Sequence, residues 1–433
     1  MRIHPRHRAF DHATNAALVR GYLEHPLRRR LGGPPLEDVQ VTRLFPRPHD
    51  GFVIQYQLRL EGGDRLILCG YLLGPSEGVP EYVERQKERV VRIDALGLIV
   101  PVFPFDPELK ALEEMFTPGG SAWLAAELGW CDGPETTDVR REVLGYRLAK
   151  RCVVRYSKPS NDNVSASSYE AIVKAVGRRR LKPNARAHAI LGERGFGANA
   201  TDGITVARTL LVDERRSVHV MEVAPGTSLH DLMDDAALEE AYWHAGLTAK
   251  KLHAVSPQGF ERYSYRDETD QLTSWVSQIA QIFPDYSERF DRCRQLVCDN
   301  DAIEKLPNDD ATCIHRDLYD KQVLFSPDRT TLLDCDNAAE GDPAQDYGNF
   351  AAHVVLRKLQ HPRRARQLDA GMEAFTTAYP KPNAAFARRA KWWEGATLLR
   401  LSSLYALRPK WRSLTDALLE QVELCTRQDT TSL

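Results

Sequence analysis

A chain of 433 residues is too long for one hydrophobic core and predicts two or three domains. Its composition, 42% hydrophobic and 27% charged, is ordinary for a water-soluble globular protein, and no apolar run approaches the ~18 residues of a membrane span. A formal net charge of −2 excludes a broad polyanion-binding surface, so neither a nucleic-acid nor a membrane partner is expected.

The first residues, Met1 to Arg8, hold no apolar core of the kind a secretory signal needs. The cysteines form no Cys-x-x-Cys pair, and Cys293 and Cys298 have no His or Cys nearby to complete a zinc set. Reduced thiols in a cytoplasmic protein are the expectation. Residues 36–75 read as β. Val53, Ile54 and Tyr56 share one strand, Leu66, Ile67 and Leu68 the next, and Gly62-Gly63-Asp64 forms the turn. Residues 138–176 repeat this scheme at an offset of 100. Asp38, Val39, Leu44, Arg47, Val53 and Tyr56 recur as Asp138, Val139, Leu144, Arg147, Val153 and Tyr156, which reads as an internal duplication. The second copy continues into Ala171-Ile172-Val173-Lys174, whereas the matching strand of the first, Ile67-Leu68-Cys69-Gly70, has no lysine. Basic Arg147, Lys150 and Arg151 sit on the turn after Gly145, where no triple-glycine loop occurs.

A strand from Ile204 to Val212 and another at Val218–Met221 lead into Glu222-Val223-Ala224-Pro225-Gly226, a strand-to-helix transition. Helical patterning is expected from near Leu229 to His253, the latter a packed helix-end residue. Residues 255–310 carry an excess of acidic side chains together with Trp275, Phe283, Tyr286 and Phe290. Two readings stay open there: an acidic, aromatic binding pocket, or an amphipathic helix pair with a solvated face. Residues 350–430 read as helices, with Trp392, Trp393 and Trp411 in core or groove.

The densest chemistry lies at His315-Arg316-Asp317, with Gln322 five residues after the aspartate and Asp334-Cys335-Asp336 beyond it. Val323-Leu324-Phe325 and Thr331-Leu332-Leu333 read as a hairpin closed at Ser326-Pro327-Asp328-Arg329. The hairpin gathers Asp317, Gln322 and Asp334. A carboxylate able to orient a hydroxyl, with an amide and a carboxylate able to hold magnesium, is the set phosphoryl transfer from ATP needs.

These residues, with Gly341-Asp342-Pro343-Ala344-Gln345-Asp346 close behind, resemble the aminoglycoside phosphotransferase family of the protein-kinase-like superfamily. The duplicated β unit and Gln322, where most kinases have Asn, resemble its maltokinase-like branch. The resemblance implies an α+β, bilobal protein-kinase-like fold with an antiparallel-sheet N-lobe and a mainly helical C-lobe, preceded by an α/β cap. The expected bounds are 1–135 for the cap, 136–222 for the N-lobe and 223–433 for the C-lobe. It implies ATP and Mg2+ as cofactors and a small-molecule hydroxyl acceptor: a sugar, amino sugar or aminoglycoside-like compound. Asp317 is then the catalytic base. Gln322 and Asp334 are metal ligands, with Asp336 a further ligand or a hairpin cap. Lys174, or in its place Arg155, contacts the nucleotide phosphates, and Glu222 and Ala224 lie at the adenine-binding hinge. Glu193 or Glu170 is the partner of the lysine. His315 and Asp346 support the loop. The alternatives are a degenerate kinase that binds nucleotide or a partner without turnover, and a scaffold assembled through the duplicated unit.

Overall fold

A computed structural model describes residues 8–31, 35–47, 51–63, 65–74, 78–130, 139–158, 169–234, 237–299 and 311–430. Asp64, Asp138, the expected boundary at 135–136, and residues 300–310 of the acidic segment lie outside them.

Two five-stranded sheets come first. Strands β1 (Leu36–Pro46), β2 (Phe52–Leu60), β3 (Arg65–Leu72), β4 (Val90–Ile93) and β5 (Leu98–Pro101) run in the order β1-β2-β3-β5-β4. The second sheet holds β6 (Arg140–Arg147), β7 (Arg151–Ser157) and β8 (Glu170–Val176). After β9 (Ile204–Val206), which pairs elsewhere, come β10 (Thr209–Asp213) and β11 (Val218–Glu222), giving β6-β7-β8-β11-β10. Both sheets therefore share one strand order, and the register agrees with the repeat. Val53 pairs with Tyr71 as Val153 pairs with Lys174, and Tyr56 pairs with Leu68 as Tyr156 pairs with Ala171. By this pairing Tyr71, rather than Cys69 or Gly70, stands where Lys174 stands. Each repeated tyrosine is buried and donates its hydroxyl to a backbone carbonyl, Tyr56 to Ala13 and Tyr156 to Met115, at 2.9 Å in both cases.

Alternation makes β7 a one-faced strand, with Cys152, Val154 and Tyr156 buried. β2 is buried on both faces because the cap sheet is a middle layer. Val53, Cys69, Tyr71 and Ile99 share a core with Cys152, Val154, Tyr156 and Val173. Phe52, Ile54 and Leu58 belong instead to the large core that holds Phe10, Leu23 and the helices. Each such side chain contributes about 1.5–3 kcal/mol on burial, so neither sheet is independent of the other.

The expected strand 204–212 is broken. Ile204–Val206 is wholly buried and pairs in parallel with Thr330-Thr331-Leu332, while Thr209–Asp213 is a half-exposed edge of the other sheet. The C-lobe hairpin is β14 (Val323–Ser326) and β15 (Arg329–Leu332), joined through Pro327-Asp328. β12 (Thr227–Ser228) extends it. Gly226 makes this possible: its φ is +107°, and a Cβ there would stand 2.7 Å from Phe325 O. β13 (Thr312–Ile314) pairs with β16 (Ala339–Gly341). The helix expected near Leu229 begins only at Leu238, after a 3-10 turn at Asp231–Asp234.

In the acidic segment, Tyr265–Ile282 and Ser287–Cys298 form a packed helix pair. Phe283 and Phe290 are core residues, Asp267 caps the first helix, and Asp291 pairs with Arg294 at 3.0 Å. Phe283 and Phe290 are thus enclosed, whereas Trp275 and Tyr286 are half-buried, and Glu261, Tyr263 and Asp267 of this segment line a cavity together with Arg316 and Asp336.

Candidate active site

The loop that carries His315, Arg316 and Asp317 leaves β13 and is pinned from the helix Pro343–Gln360. That helix starts on Asp342, whose Oδ1 accepts the Ala344 N–H at 3.0 Å, with Pro343 at the first helical position. One turn in, the fully buried Asp346 accepts the His315 N–H at 2.6 Å and the Arg316 N–H at 2.8 Å. His253 Nε2 lies 3.0 Å from the same carboxylate, and its Nδ1 lies 2.9 Å from the Tyr379 hydroxyl. Burial raises Asp346's affinity for a proton, but His253, His315 and the loop amide outweigh it and keep the pKa low. Asn349 adds a bond to Leu318 O at 2.7 Å. His315 donates Nε2–H to Leu333 O at 2.8 Å and accepts the Asp317 N–H on Nδ1 at 3.3 Å, tying the loop to the end of the hairpin. The loop is held so firmly that Arg316 keeps a left-handed φ of 68°.

Asp334 follows β15, also left-handed at φ 54°. Its carboxylate receives Lys174 Nζ at 2.8 Å and Arg151 Nη1 at 3.1 Å. Lys174 is buried and bonds Asp336 as well. Asn184, on the helix Arg178–Leu191, donates to Asp336 Oδ2 at 2.9 Å. Asp336 Oδ1 is buried with no hydrogen-bond partner. Burial would raise the Asp334 pKa, yet Lys174 and Arg151 prevail and hold it well below the usual carboxylate range. Asp317 goes the other way. Burial lifts its pKa, and the attraction of Arg400 and His315 does not cancel that. Two aspartates at one site are thus driven apart, one firmly ionised and one proton-seeking.

The lysine-bearing strand is backed by two neutral histidines. His188 and His219 are each lowered to about 4, chiefly by burial, and their rings meet edge to face at 5.1 Å. Gln322 is buried beside the hairpin, its N–H bonded to Tyr319 O at 2.9 Å.

The structure brings together Lys174, Asp334, Asp336, Asp317, Gln322, His315 and Asp346. It leaves Arg155 out: on β7 that side chain makes a two-oxygen ion pair with Glu170 at 2.9 Å, so both members of the pair are engaged with each other. Glu193 is exposed on the turn Gly192–Phe196 and does not reach Lys174. Asn184 holds the position from which a helix reaches this cluster. Glu222 ends β11, bonded to Arg329 and accepting the Arg208 N–H at 3.1 Å, and Ala224 follows in the connection to β12. Asn184 was hidden in the sequence because an amide on an amphipathic helix carries no motif. Its one signal is a polar residue on the buried face of Arg178–Leu191. Asp320, in a buried pair with Arg357 at 2.6 Å, was equally silent.

This is the architecture of a bilobal, protein-kinase-like phosphotransferase. The model of the APH family, described as the phosphotransferase enzyme family, matches residues 161–386, more than half of the chain, and the chain belongs to that family. By that family it is a phosphotransferase. The cap and strands β6 and β7 precede the matched residues. Among solved structures, the chain is similar to a choline/ethanolamine kinase family protein from Mesorhizobium loti (16% identity, TM-score 0.47, 70% of this chain and 93% of that one). It is also similar to macrolide 2'-phosphotransferase MphH from Brachybacterium faecium (18%, 0.41, 69% and 95%) and to choline kinase LicA from Streptococcus pneumoniae (14%, 0.45, 67% and 93%). No curated protein matches the chain. Among the described residues, no helix is long and apolar enough to cross a membrane.

Proposed function

We propose that the chain transfers the terminal phosphoryl group of ATP to a hydroxyl of a small molecule, with Mg2+ and with Asp317 as base. The observation that carries this reading is the opposed pair: Asp334 ionised against Lys174 and Arg151, Asp317 raised by burial. The residues fit a metal–triphosphate. Asp336 Oδ1 is a buried acceptor without a partner, Asp334 is an ionised oxygen donor, and Gln322 adds an amide oxygen. Bound there, magnesium supplies charge neutralisation for the phosphates.

Asp317 orients the acceptor hydroxyl and takes its proton, a task a raised pKa suits. Lys174 exchanges part of its carboxylate contact for the phosphates, and Arg151, on the turn above, does the same. Asp346 keeps the loop backbone fixed while the proton moves. The backbone of Glu222 to Ala224 receives the adenine. Sugars, amino sugars and aminoglycoside-like alcohols form the acceptor class to screen, and the free thiols among the described cysteines agree with a cytoplasmic setting.

A second reading draws on the same contacts. Lys174 already neutralises both Asp334 and Asp336, so a binding protein without turnover could use this self-compensated site. Calorimetric titration with ATP, with and without magnesium, followed by ADP release across an alcohol library, separates the two. Magnesium-dependent binding with acceptor-dependent ADP release is expected. Binding with no release from any alcohol supports the second reading, and no binding removes both.

A further inference from the structure

A cavity of about 450 Å3 lies between the helix Arg178–Leu191 and the stretch Gly259–Tyr263, a size that suits a small molecule. Arg186 and Ile190 line it from the helix, and Arg316 and Asp336 close it. Its walls are tied together. The Tyr263 N–H bonds Glu340 O and the Glu340 N–H bonds Glu261 O, each at 2.8 Å, which lays the stretch along β16. Gly259 lets it approach the helix: its φ is +96°, and a Cβ there would stand 3.3 Å from Arg186 Nη2 and from Ile190 Cδ1. Tyr263 carries the Arg316 guanidinium 3.5 Å above its ring, which fixes the plane of that fork. Lys174, Asp317, Gln322 and Asp334 are not among the walls, so this is not the space in which transfer takes place.

The charges around it do not balance. Lys182, also in the lining, is paired with Glu214 at 3.2 Å, Asp336 with Lys174, and Asp267 Oδ2 accepts the Ser264 N–H at 2.7 Å. Among the described residues, Arg186, Arg262 and Arg316 are in no ion pair, and neither is Glu261. Even with Asp267 counted at full charge beside Glu261, three guanidiniums face two carboxylates. Arg186 and Arg262 are exposed at the rim, whereas Arg316 is half-buried and its Nε is enclosed without a hydrogen-bond partner. Withdrawing a guanidinium from water with no carboxylate beside it costs free energy that an anion recovers.

We propose that this cavity binds a small organic anion, a carboxylate or phosphate compound distinct from the substrates, whose charge meets the Arg316 fork while Arg186 and Arg262 close on it from the rim. Asn184 belongs to the same helix and donates to Asp336, which lines the cavity and bonds Lys174. The occupant therefore bridges that helix and the Arg316 loop beside the Lys174–Asp336 contact.

The test uses the full chain saturated with magnesium and a non-hydrolysable ATP analogue, so that the nucleotide phosphates fill their own site. Inorganic phosphate and acetate are then titrated by calorimetry, with methylammonium as the cationic control. Phosphate or acetate is expected to bind the wild type and Arg366→Ala, a control exposed on the helix Ala365–Ala378, and to lose about tenfold or more in affinity in Arg316→Ala and in the double variant Arg186→Ala/Arg262→Ala. Should Arg316→Ala not fold, the double variant, which alters exposed side chains alone, decides. Which anion binds more tightly distinguishes a phosphate from a carboxylate ligand. The proposal is overturned by no anion binding to the loaded wild type, by anion binding that survives in the double variant, or by methylammonium binding in place of the anions. If the analogue itself does not bind, the phosphotransferase reading fails separately, and the same titration on the free chain, compared between wild type and the double variant, still decides the arginine cavity.

Discussion

The two N-terminal sheets share a strand order and a register but not a task. At the third strand, the second sheet presents Lys174 to Asp334 and Asp336, whereas the cap sheet presents Tyr71 beneath the Arg47 guanidinium, 4.7 Å from its ring. At the matched position, Arg151 opens the second strand of one sheet and bonds Asp334, whereas the other has the glycine Gly51 just before its second strand. Fold duplication therefore does not carry chemistry with it. A few side chains at matched register positions decide which copy meets the carboxylates of Asp334 and Asp336 and which packs as support.

The largest expected effects fall on the working side. Asp317→Asn and Asp334→Asn should each lower turnover by about two orders of magnitude or more, measured as ADP release. Their stabilities should separate. The raised Asp317 costs stability as its carboxylate ionises above its unfolded pKa, so the amide should leave the melting temperature equal or higher. The depressed Asp334 contributes stability above its unfolded pKa, lost as pH falls, so Asp334→Asn should melt earlier at neutral pH. Equal shifts in both variants would break the assignment of opposed aspartates.

Lys174→Met should lower turnover by about tenfold to a hundredfold, whereas Tyr71→Leu in the cap should leave it unchanged and cost about 1–3 kcal/mol in denaturant unfolding. An inactive Tyr71→Leu protein of normal stability would assign the cap sheet a catalytic part. Asp346→Ala removes one buried partner from two loop amides and His253, and a loss of about 3 kcal/mol or more is expected in the same unfolding measurement. The acid limb of the pH–rate profile should lie above the ordinary carboxylate range, because burial raises Asp317, and turnover should fall as pH drops through that value. Smallest of all, Glu193→Ala should change neither turnover nor stability by more than about 0.5 kcal/mol, since its side chain is exposed.

The hairpin, its two-residue turn and the gathering of the site carboxylates were legible because Asp317, Gln322 and Asp334 are close in sequence and joined by a strongly patterned β unit. The duplication was legible from six matched residues. What escaped were contacts made across the chain. Asn184 reaches Asp336 over 152 positions, and Arg151 reaches Asp334 over 183. No local pattern marks such a pair. Glu193 has the spacing of a partner for Lys174, but the helix before it stops at Leu191 and leaves the side chain exposed on the turn Gly192–Phe196.

The cap is a wedge with a foot on each lobe. Gln55 donates to Tyr146 O at 2.8 Å on the N-lobe side, and Phe10 meets Phe283 of the helical lobe at 6.5 Å on the other. Two lobes stapled to a shared third body cannot swing apart as a free hinge does without tearing one of those seams. Deleting residues 1–130 to obtain a minimal piece would therefore strip the apolar backs of both lobes.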